Sequence, residues 1–189
     1  RMNAFSSFED IKETVLGLSR SNPMRSYLAP GIEDSYFRTG GDPSIIQANG
    51  KYYIHITSDF YFPDGTPGPI CGFFGWESTD LVTWTNKQRL IYATGQTWAQ
   101  YYYWAGKVEK VGAKYYLFYS ASNIDNEANI RLCLAESDFP NGPYTEKACP
   151  LPVFKQDGSQ VTTAFSYAPR TFVDTDGTIY VYFTNQNIK

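Results

Sequence analysis

Short apolar runs rich in aromatic residues, separated by polar turn residues, fill most of the chain after residue 40. In the first run Asp42 stands before the apolar residues Ile45 and Ile46, and Asn49-Gly50 separates it from a second run rich in tyrosine. Asn-Gly between two β-prone runs is the strongest short signal for a β-hairpin. The sequence therefore predicts two antiparallel strands joined by a tight turn.

This pattern recurs at a spacing of 63 residues, which carries position 42 to 105 and then to 168. Each of these positions, occupied by Asp42, Ala105 and Ala168, is followed by a turn that contains glycine and then by an aromatic strand. The aromatic strands lie at 52–56, 115–119 and 179–183. Several short strands per repeat at one spacing are typical of β-propeller blades. A β-sandwich is the alternative, but it gives no reason for a constant spacing, so we predict an all-β propeller.

One helix is predicted ahead of the strands. Phe8, Ile11, Val15 and Leu18 recur at helical spacing and form one apolar stripe. A helix that packs against the outside of its own propeller is the favoured interpretation, and a partner-binding helix is the alternative.

Five motifs follow one another along the chain: Asp42-Pro43-Ser44-Ile45-Ile46, Glu77-Ser78-Thr79-Asp80-Leu81, Trp104-Ala105-Gly106-Lys107-Val108, Ser137-Asp138-Phe139-Pro140-Asn141-Gly142 and Pro169-Arg170-Thr171-Phe172-Val173-Asp174. In this order they resemble glycoside hydrolase family 43, a family of five-bladed β-propellers. The resemblance extends from about residue 37 to residue 189.

The resemblance implies a division of the chain into a lead-in segment and about two and a half blades. The predicted parts are residues 1–40 for the helix and its loop, 42–93 for blade one, 104–154 for blade two and 165–189 for the start of blade three. Because half a propeller leaves strand edges uncovered, three completions stay open. They are a longer protein, a second copy of this chain, or another chain.

Glycoside hydrolysis with inversion needs a general acid for the leaving oxygen and a general base that activates water. By resemblance Asp42 is the general base, and the position of Ala168 belongs to an aspartate that tunes the pKa of the acid. The general acid belongs to a fourth blade that this chain does not contain. An Asp before Pro at a strand start also caps turns, and this is the structural alternative for Asp42.

Ala168 departs from the family pattern because alanine carries no charge. A deliberate knock-out, a natural pseudo-enzyme and an alignment shifted by one residue all account for it. Glu109 and Asp174 are the carboxylates that we considered as replacements, although Asp174-Thr175-Asp176-Gly177 reads better as a hairpin turn than as a calcium loop.

Sugar rings stack on flat aromatic faces, and Trp104 is the main candidate for such a platform. Phe60, Trp98 and the run Tyr101-Tyr102-Tyr103 are weaker candidates, with packing between blades as the alternative. Arg170 is a candidate donor to a sugar hydroxyl or an ion-pair partner of Asp42. His55 alternates with isoleucines on a strand, which favours packing over catalysis.

Composition removes several classes of function. A net charge of −3 gives no basic patch for nucleic acid, and no apolar run is long enough to span a membrane. Cys71, Cys133 and Cys149 leave at least one cysteine unpaired and match no zinc spacing, so small buried residues are the favoured interpretation. No metal site or cofactor is predicted, and a structural calcium ion in a central channel stays open.

The localisation is unknown. The first residues are not a signal peptide, and Met2 after Arg1 suggests a start codon behind a tag remnant, so the compartment stays open.

Three functions follow from the resemblance. The first is an inverting glycosidase on plant saccharides that contain arabinose or xylose, incomplete or inactive as this chain alone. The second is a carbohydrate-binding module without catalysis. The third is an engineered or excised half-propeller that associates with itself. Whether the chain is an enzyme is left open, with the resemblance favouring one.

Overall fold

The computed structural model describes residues 41–58, 72–160 and 165–185. Within them the chain forms ten β-strands and one short 3-10 turn at Glu127–Asn129. The strands are β1 Gly41–Ala48, β2 Lys51–Ser58, β3 Gly72–Ser78, β4 Thr85–Tyr92, β5 Tyr101–Val111, β6 Lys114–Ser122, β7 Arg131–Ser137, β8 Thr145–Ala148, β9 Ser166–Val173 and β10 Ile179–Asn185. The prediction of an all-β chain is confirmed for these residues. The predicted N-terminal helix lies outside the described residues.

The strands form three antiparallel sheets in which each strand pairs with the next along the chain. The first sheet has the order β1-β2-β3-β4, the second β5-β6-β7-β8, and the third consists of β9 and β10. The predicted turn between β1 and β2 is confirmed: Asn49 and Gly50 have φ values of 51° and 74°. Both positive angles match the two-residue turn that Asn-Gly favours, because its twist agrees with that of the strands.

An aromatic cluster holds the first two sheets together. Phe73 on β3 places its ring edge against Tyr103 and Tyr119 of the second sheet, with centroids 6.0 and 5.7 Å away. The two tyrosine rings stack on each other at 5.6 Å. Tyr103 also donates its hydroxyl proton to the carbonyl of Ala99 at 2.6 Å, which satisfies the polar end of a buried ring. Tyr103 thus packs between sheets, as the alternative interpretation predicted for most of the aromatic residues.

A second contact between these sheets surrounds His55. Its side chain is buried on β2, and Nε2 lies 3.1 Å from the carbonyl of Pro140 in the β7–β8 turn. Gly75 on β3 leaves the space that Asn141 of the same turn occupies. The prediction that His55 is packed is confirmed.

A disulfide bond joins Cys133 on β7 to Cys149, directly after β8. Cys133 is fully buried, as expected, but the interpretation of these two cysteines as simply small buried residues is wrong. Sequence spacing did not reveal the bond because it depends on the pairing of β7 with β8, which brings the two Cα atoms within 4.5 Å. Cys71 lies outside the described residues.

The third sheet leaves large apolar side chains in contact with solvent. Phe172, Tyr180 and Tyr182 are 56%, 46% and 63% exposed, while β9 packs against β5 and β6 of the second sheet. In the described part of the chain, no helix is long and apolar enough to cross a membrane.

Candidate functional site

The first strand of each sheet contains the same irregularity near its start. The antiparallel register shifts at residues 41–44 in β1, 104–107 in β5 and 167–170 in β9. In each shift one residue has a positive φ: 49° at Asp42, 52° at Ala105 and 55° at Ala168. A β-bulge of this kind leaves a residue outside the ladder and re-aims its side chain. The three positions that share the 63-residue spacing therefore share one local structure.

These bulges belong to neighbouring strands, because β5 contacts both β1 and β9. Two hydroxyl groups connect them. Thr57 Oγ1 on β2 accepts a hydrogen bond from the N–H of Ala105 at 2.8 Å and donates to Asp42 Oδ2 at 3.4 Å. Ser120 Oγ, 63 residues later on β6, accepts the N–H of Ala168 at 3.1 Å. Sequence reasoning misses Thr57 and Ser120, although their common spacing with the three bulges is a signal for them.

The carboxylate of Asp42 lies at the start of β1, and the residue is exposed in the described structure. Water therefore reaches this group, which a general base requires. At the equivalent place in the third sheet, Ala168 presents only a methyl group. The structure brings Asp42 and Ala168 to corresponding positions, as predicted, and no charge is present at the second one.

Glu109, which we considered as a replacement for the aspartate missing at position 168, forms contacts between the second and third sheets. Its Oε1 accepts a hydrogen bond from Thr171 Oγ1 at 2.5 Å and pairs with Lys107 Nζ at 3.3 Å. The carboxylate thus connects β5 to β9 with a hydroxyl on one side and an ammonium group on the other.

Asp174 lies at the end of β9 that is opposite to Ala168. Its N–H donates to the carbonyl of Thr178 at 2.9 Å, and its carbonyl accepts the N–H of Gly177 at 3.0 Å. Gly177 has a φ of 86°. The hairpin-turn interpretation of this segment is confirmed, and Asp174 is remote from the bulges.

Arg170 follows the bulge of the third sheet and is exposed. Its Nη1 donates to the carbonyl of Pro169 at 2.8 Å. Within the described ranges no ion pair joins Arg170 to Asp42, so that of its two predicted roles only the donation to a ligand stays open. Phe60, a further predicted site residue, lies outside the described residues.

An aromatic surface stands next to the bulge of the second sheet. Trp104 and Tyr102 contact each other edge to face at 5.3 Å, and Tyr101 lies 6.3 Å from Tyr102. The Tyr102 hydroxyl donates to Asp125 Oδ1 at 2.6 Å. Tyr102 also has a φ of 58°, and bulky residues in this strained region cluster at binding and active sites. The structure thus brings Trp104 together with one of the weaker candidates, and sequence reasoning misses Asp125.

A separate cleft of about 430 Å³ lies between β4 and β8, where Ile91, Gln96 and Glu146 are among the residues that line it. Glu146 accepts the N–H groups of Trp98 and Ala99 at 3.0 and 3.2 Å. This carboxylate therefore orders the loop before β5, and none of the three bulges lines the cleft.

Two further properties concern the titratable and potential metal-binding side chains. Burial lowers the pKa of His55 to about 4, and the positive charge of Lys107 acts in the same direction, while the hydrogen bond to Pro140 opposes it. In the segments that the structure describes, no three His, Cys, Asp or Glu side chains are grouped so as to hold a metal ion.

Comparison with known proteins identifies the family to which the chain belongs. Residues 38–189 match the sequence profile of glycosyl hydrolases family 43. The chain is 29% identical over 164 residues to the xylosidase/arabinosidase 43A of Humicola insolens, covering 82% of this chain and 46% of that protein. It is 28% identical over 166 residues to an arabinoxylan arabinofuranohydrolase of Bacillus subtilis, covering 76% of this chain and 30% of that protein.

Solved structures give the same result for the fold. A thermostable family-43 glycoside hydrolase superimposes with a TM-score of 0.57 and 29% identity, over 76% of this chain and 41% of the other. An endo-arabinase from Bacteroides thetaiotaomicron gives a TM-score of 0.58 at 22% identity, over 80% and 46%. The chain spans less than half the length of these curated relatives and structures.

Proposed function

This chain belongs to family 43 of the glycosyl hydrolases, and from that premise we propose that the protein hydrolyses saccharides that contain arabinose or xylose. The names of the relatives from Humicola insolens and Bacillus subtilis support this class of substrate. The reaction proposed is cleavage of a glycosidic bond with inversion. The fold proposed for the whole protein is the five-bladed propeller of the resembled family.

The observation that carries the proposal is the bulge at Asp42. It puts a water-accessible carboxylate at the start of the first strand of the first sheet, beside the bulge of the second sheet. As a general base, Asp42 would take a proton from a water molecule whose oxygen then attacks the anomeric carbon. The C–O bond to the leaving group breaks as a general acid protonates the leaving oxygen. In the inverting geometry the two carboxyl groups stand about 6.5–9.5 Å apart. That acid is proposed to come from protein outside this chain.

The sugar-binding part of the proposal uses the aromatic surface of Trp104 and Tyr102. Edge-to-face contact and the hydrogen bond to Asp125 fix the orientation of the Tyr102 ring. A fixed, flat apolar face costs little conformational entropy when a sugar ring stacks on it. Arg170 adds an exposed cation at the neighbouring bulge, suited to donate to sugar hydroxyls. Phe60 stays a proposed member of this surface.

A second candidate function, saccharide binding without turnover, is favoured by Ala168. A neighbouring carboxylate raises the pKa of a general acid through like-charge repulsion. A methyl group has no such effect. Glu109, which we considered as a replacement carboxylate, is held by Thr171 and Lys107. Weak or absent hydrolysis with retained binding is the signature of this candidate.

Additional protein is proposed to cover the third sheet. The exposed rings of Phe172, Tyr180 and Tyr182 form an apolar face of the kind that adjoining blades bury. The rest of a longer chain, a second copy and another protein are the three proposed sources. Light scattering on a sizing column separates the second source from the others, since a dimer has twice the chain mass of 21.4 kDa.

One set of measurements decides between the two functions. Arabino- and xylo-oligosaccharides are incubated with the chain in the assembly that supplies the general acid, binding is followed by calorimetry, and products are followed by proton NMR of the anomeric signals. Inverted product supports the hydrolase, and Asp42→Asn should then lower kcat by roughly 10²–10⁴ while binding persists. Binding without product supports the second candidate. Neither binding nor product would overturn both.

A further inference from the structure

We propose that Thr57 is a positioning residue for Asp42, holding its carboxylate in a fixed place relative to the second sheet. The inference deepens the proposed function and rests on it, since the reaction assigned to Asp42 is itself proposed. Its own support comes from the hydrogen bonds around one buried hydroxyl group.

The hydrogen bonds of Thr57 determine the direction of its proton. A hydroxyl has a single proton to donate and two lone pairs that accept. One lone pair is used by the N–H of Ala105, at 2.8 Å. That contact leaves the proton for another acceptor, and Asp42 Oδ2 lies 3.4 Å from Oγ1. The hydroxyl therefore joins a backbone donor of one sheet to a carboxylate of another.

The Ala105 amide needs this acceptor because a bulge residue lies outside the regular ladder. A buried N–H group without a partner costs free energy comparable to a lost hydrogen bond. Thr57 is 5% exposed, so water does not readily replace it. In the β1–β2 pairing Thr57 stands opposite Gly41, one residue before Asp42. Register and burial thus fix the position of the hydroxyl on which the carboxylate depends.

The second sheet contains the same device without a carboxylate. Ser120 is fully buried, and its hydroxyl accepts the N–H of Ala168 at 3.1 Å. It stands opposite Trp104 in the β5–β6 pairing, and Ala105 occupies the place of Asp42. The bond from hydroxyl to amide is therefore a structural feature of both sheets. Of the two hydroxyls, only that of Thr57 also contacts a carboxylate. A comparison of Thr57 with Ser120 therefore distinguishes positioning of the carboxylate from stabilisation of the fold.

Displacement of a general base by about 1 Å can cost 10²-fold in rate. We expect Thr57→Val, which keeps the shape but removes the hydroxyl, to lower kcat about 10- to 100-fold with KM changed less than threefold. Thr57→Ser, which restores a hydroxyl, should recover most of kcat. If Thr57 acted only by filling space, kcat would follow side-chain volume, and Thr57→Val would have a higher kcat than Thr57→Ser.

Ser120→Ala is the matched control, measured beside Thr57→Val and Thr57→Ser in the assembly that supplies the general acid. It removes the equivalent hydroxyl bond without touching the carboxylate, so kcat should stay within threefold of the unaltered chain. An equal loss of kcat in Ser120→Ala and Thr57→Val, or no loss in Thr57→Val, would overturn the proposal. If Thr57→Val does not fold, Thr57→Cys, with its weak S–H donor, takes its place. A kcat of Thr57→Cys that is no lower than that of Thr57→Ser would contradict the proposal.

Failure of the proposed function gives a different result. If the unaltered chain hydrolyses no arabino- or xylo-oligosaccharide in the assembly that supplies the general acid, the hydrolase proposal fails, and crystal structures of the same variants then test Thr57. Movement of the Asp42 carboxylate in Thr57→Val, with no movement in Thr57→Ser or Ser120→Ala, supports positioning. An unmoved carboxylate in all three overturns it.

Discussion

Asp42 and Ala168 share one left-handed backbone conformation, with φ values of 49° and 55°, although one carries a carboxylate and the other a methyl group. Aspartate is several-fold enriched in this region among residues other than glycine. The left-handed region costs a residue with a Cβ about 1–2 kcal/mol, and aspartate offsets part of this cost because its short polar side chain can hydrogen-bond locally, which alanine cannot do. The backbone at position 168 therefore suits aspartate better than the alanine that occupies it.

Replacement of Ala168 by aspartate should leave the free energy of unfolding unchanged or raise it by up to about 1 kcal/mol. Urea denaturation measures this change. Ala168→Val is the control and should lose about 1 kcal/mol or more, since β-branched residues are disfavoured at positive φ. If the hydrolase proposal holds, Ala168→Asp should also raise the rate of hydrolysis at least about tenfold. Marked destabilisation by aspartate would contradict the conformational argument.

Gly75 should not tolerate a side chain. A Cβ atom there would collide with Asn141 Oδ1 and would lie 2.7 Å from Leu90 Cδ1 and 3.0 Å from His55 Cδ2. Overpacking of this kind costs about 1–3 kcal/mol, so Gly75→Ala should lower the urea midpoint clearly. Gly95→Ala is the matched control, because a Cβ at Gly95 meets no atom within 4 Å. Equal midpoints for the two variants would show that the first two sheets do not pack as described.

His55 should stay neutral to a pH well below the ordinary range of histidine. Its folded-state pKa of about 4 lies below the usual 6.5, so the unfolded chain binds the proton more readily. Stability is then greatest above pH 6.5 and falls as the pH drops through the interval down to 4, by about 3 kcal/mol in total. The chain has a single histidine, so its imidazole signals in an NMR titration report this directly. A midpoint near 6.5 in the folded chain would contradict the burial of His55.

In the variant His55→Gln, the loss of stability between pH 6.5 and pH 4 should be smaller by the same amount, because the titrating group is gone. The carboxylates of the chain are still present in this variant, so its remaining pH dependence measures their share.

The disulfide bond between Cys133 and Cys149 should leave one titratable thiol per unfolded, unreduced chain and three after reduction. Closing a loop with a sequence separation of 16 stabilises the folded state by about 3 kcal/mol in the chain-entropy description. Cys149→Ala should lose about this much in urea denaturation. Reduction should destabilise the unaltered chain similarly and the variant hardly at all. Three thiols before reduction would contradict the bond.

The sequence by itself determined the all-β class, the hairpin of β1 and β2 and the aromatic strands of the three repeats, which correspond to β2, β6 and β10. Runs of β-prone residues, short turns such as Asn49-Gly50 and the 63-residue spacing act locally or by repetition, and both are visible in one dimension. The repeat also located Asp42 and Ala168 at corresponding positions, which the common bulges confirm.

The tertiary structure alone decided which distant groups meet. The contact of Thr57 with both Asp42 and Ala105, the bond between Tyr102 and Asp125, and the disulfide each join residues at least 15 positions apart. Such contacts depend on the register of paired strands and on how neighbouring sheets pack, and a shift of one residue in register would reverse the faces of a strand. Local sequence does not encode that alignment, so these partners emerge only when the sheets are assembled.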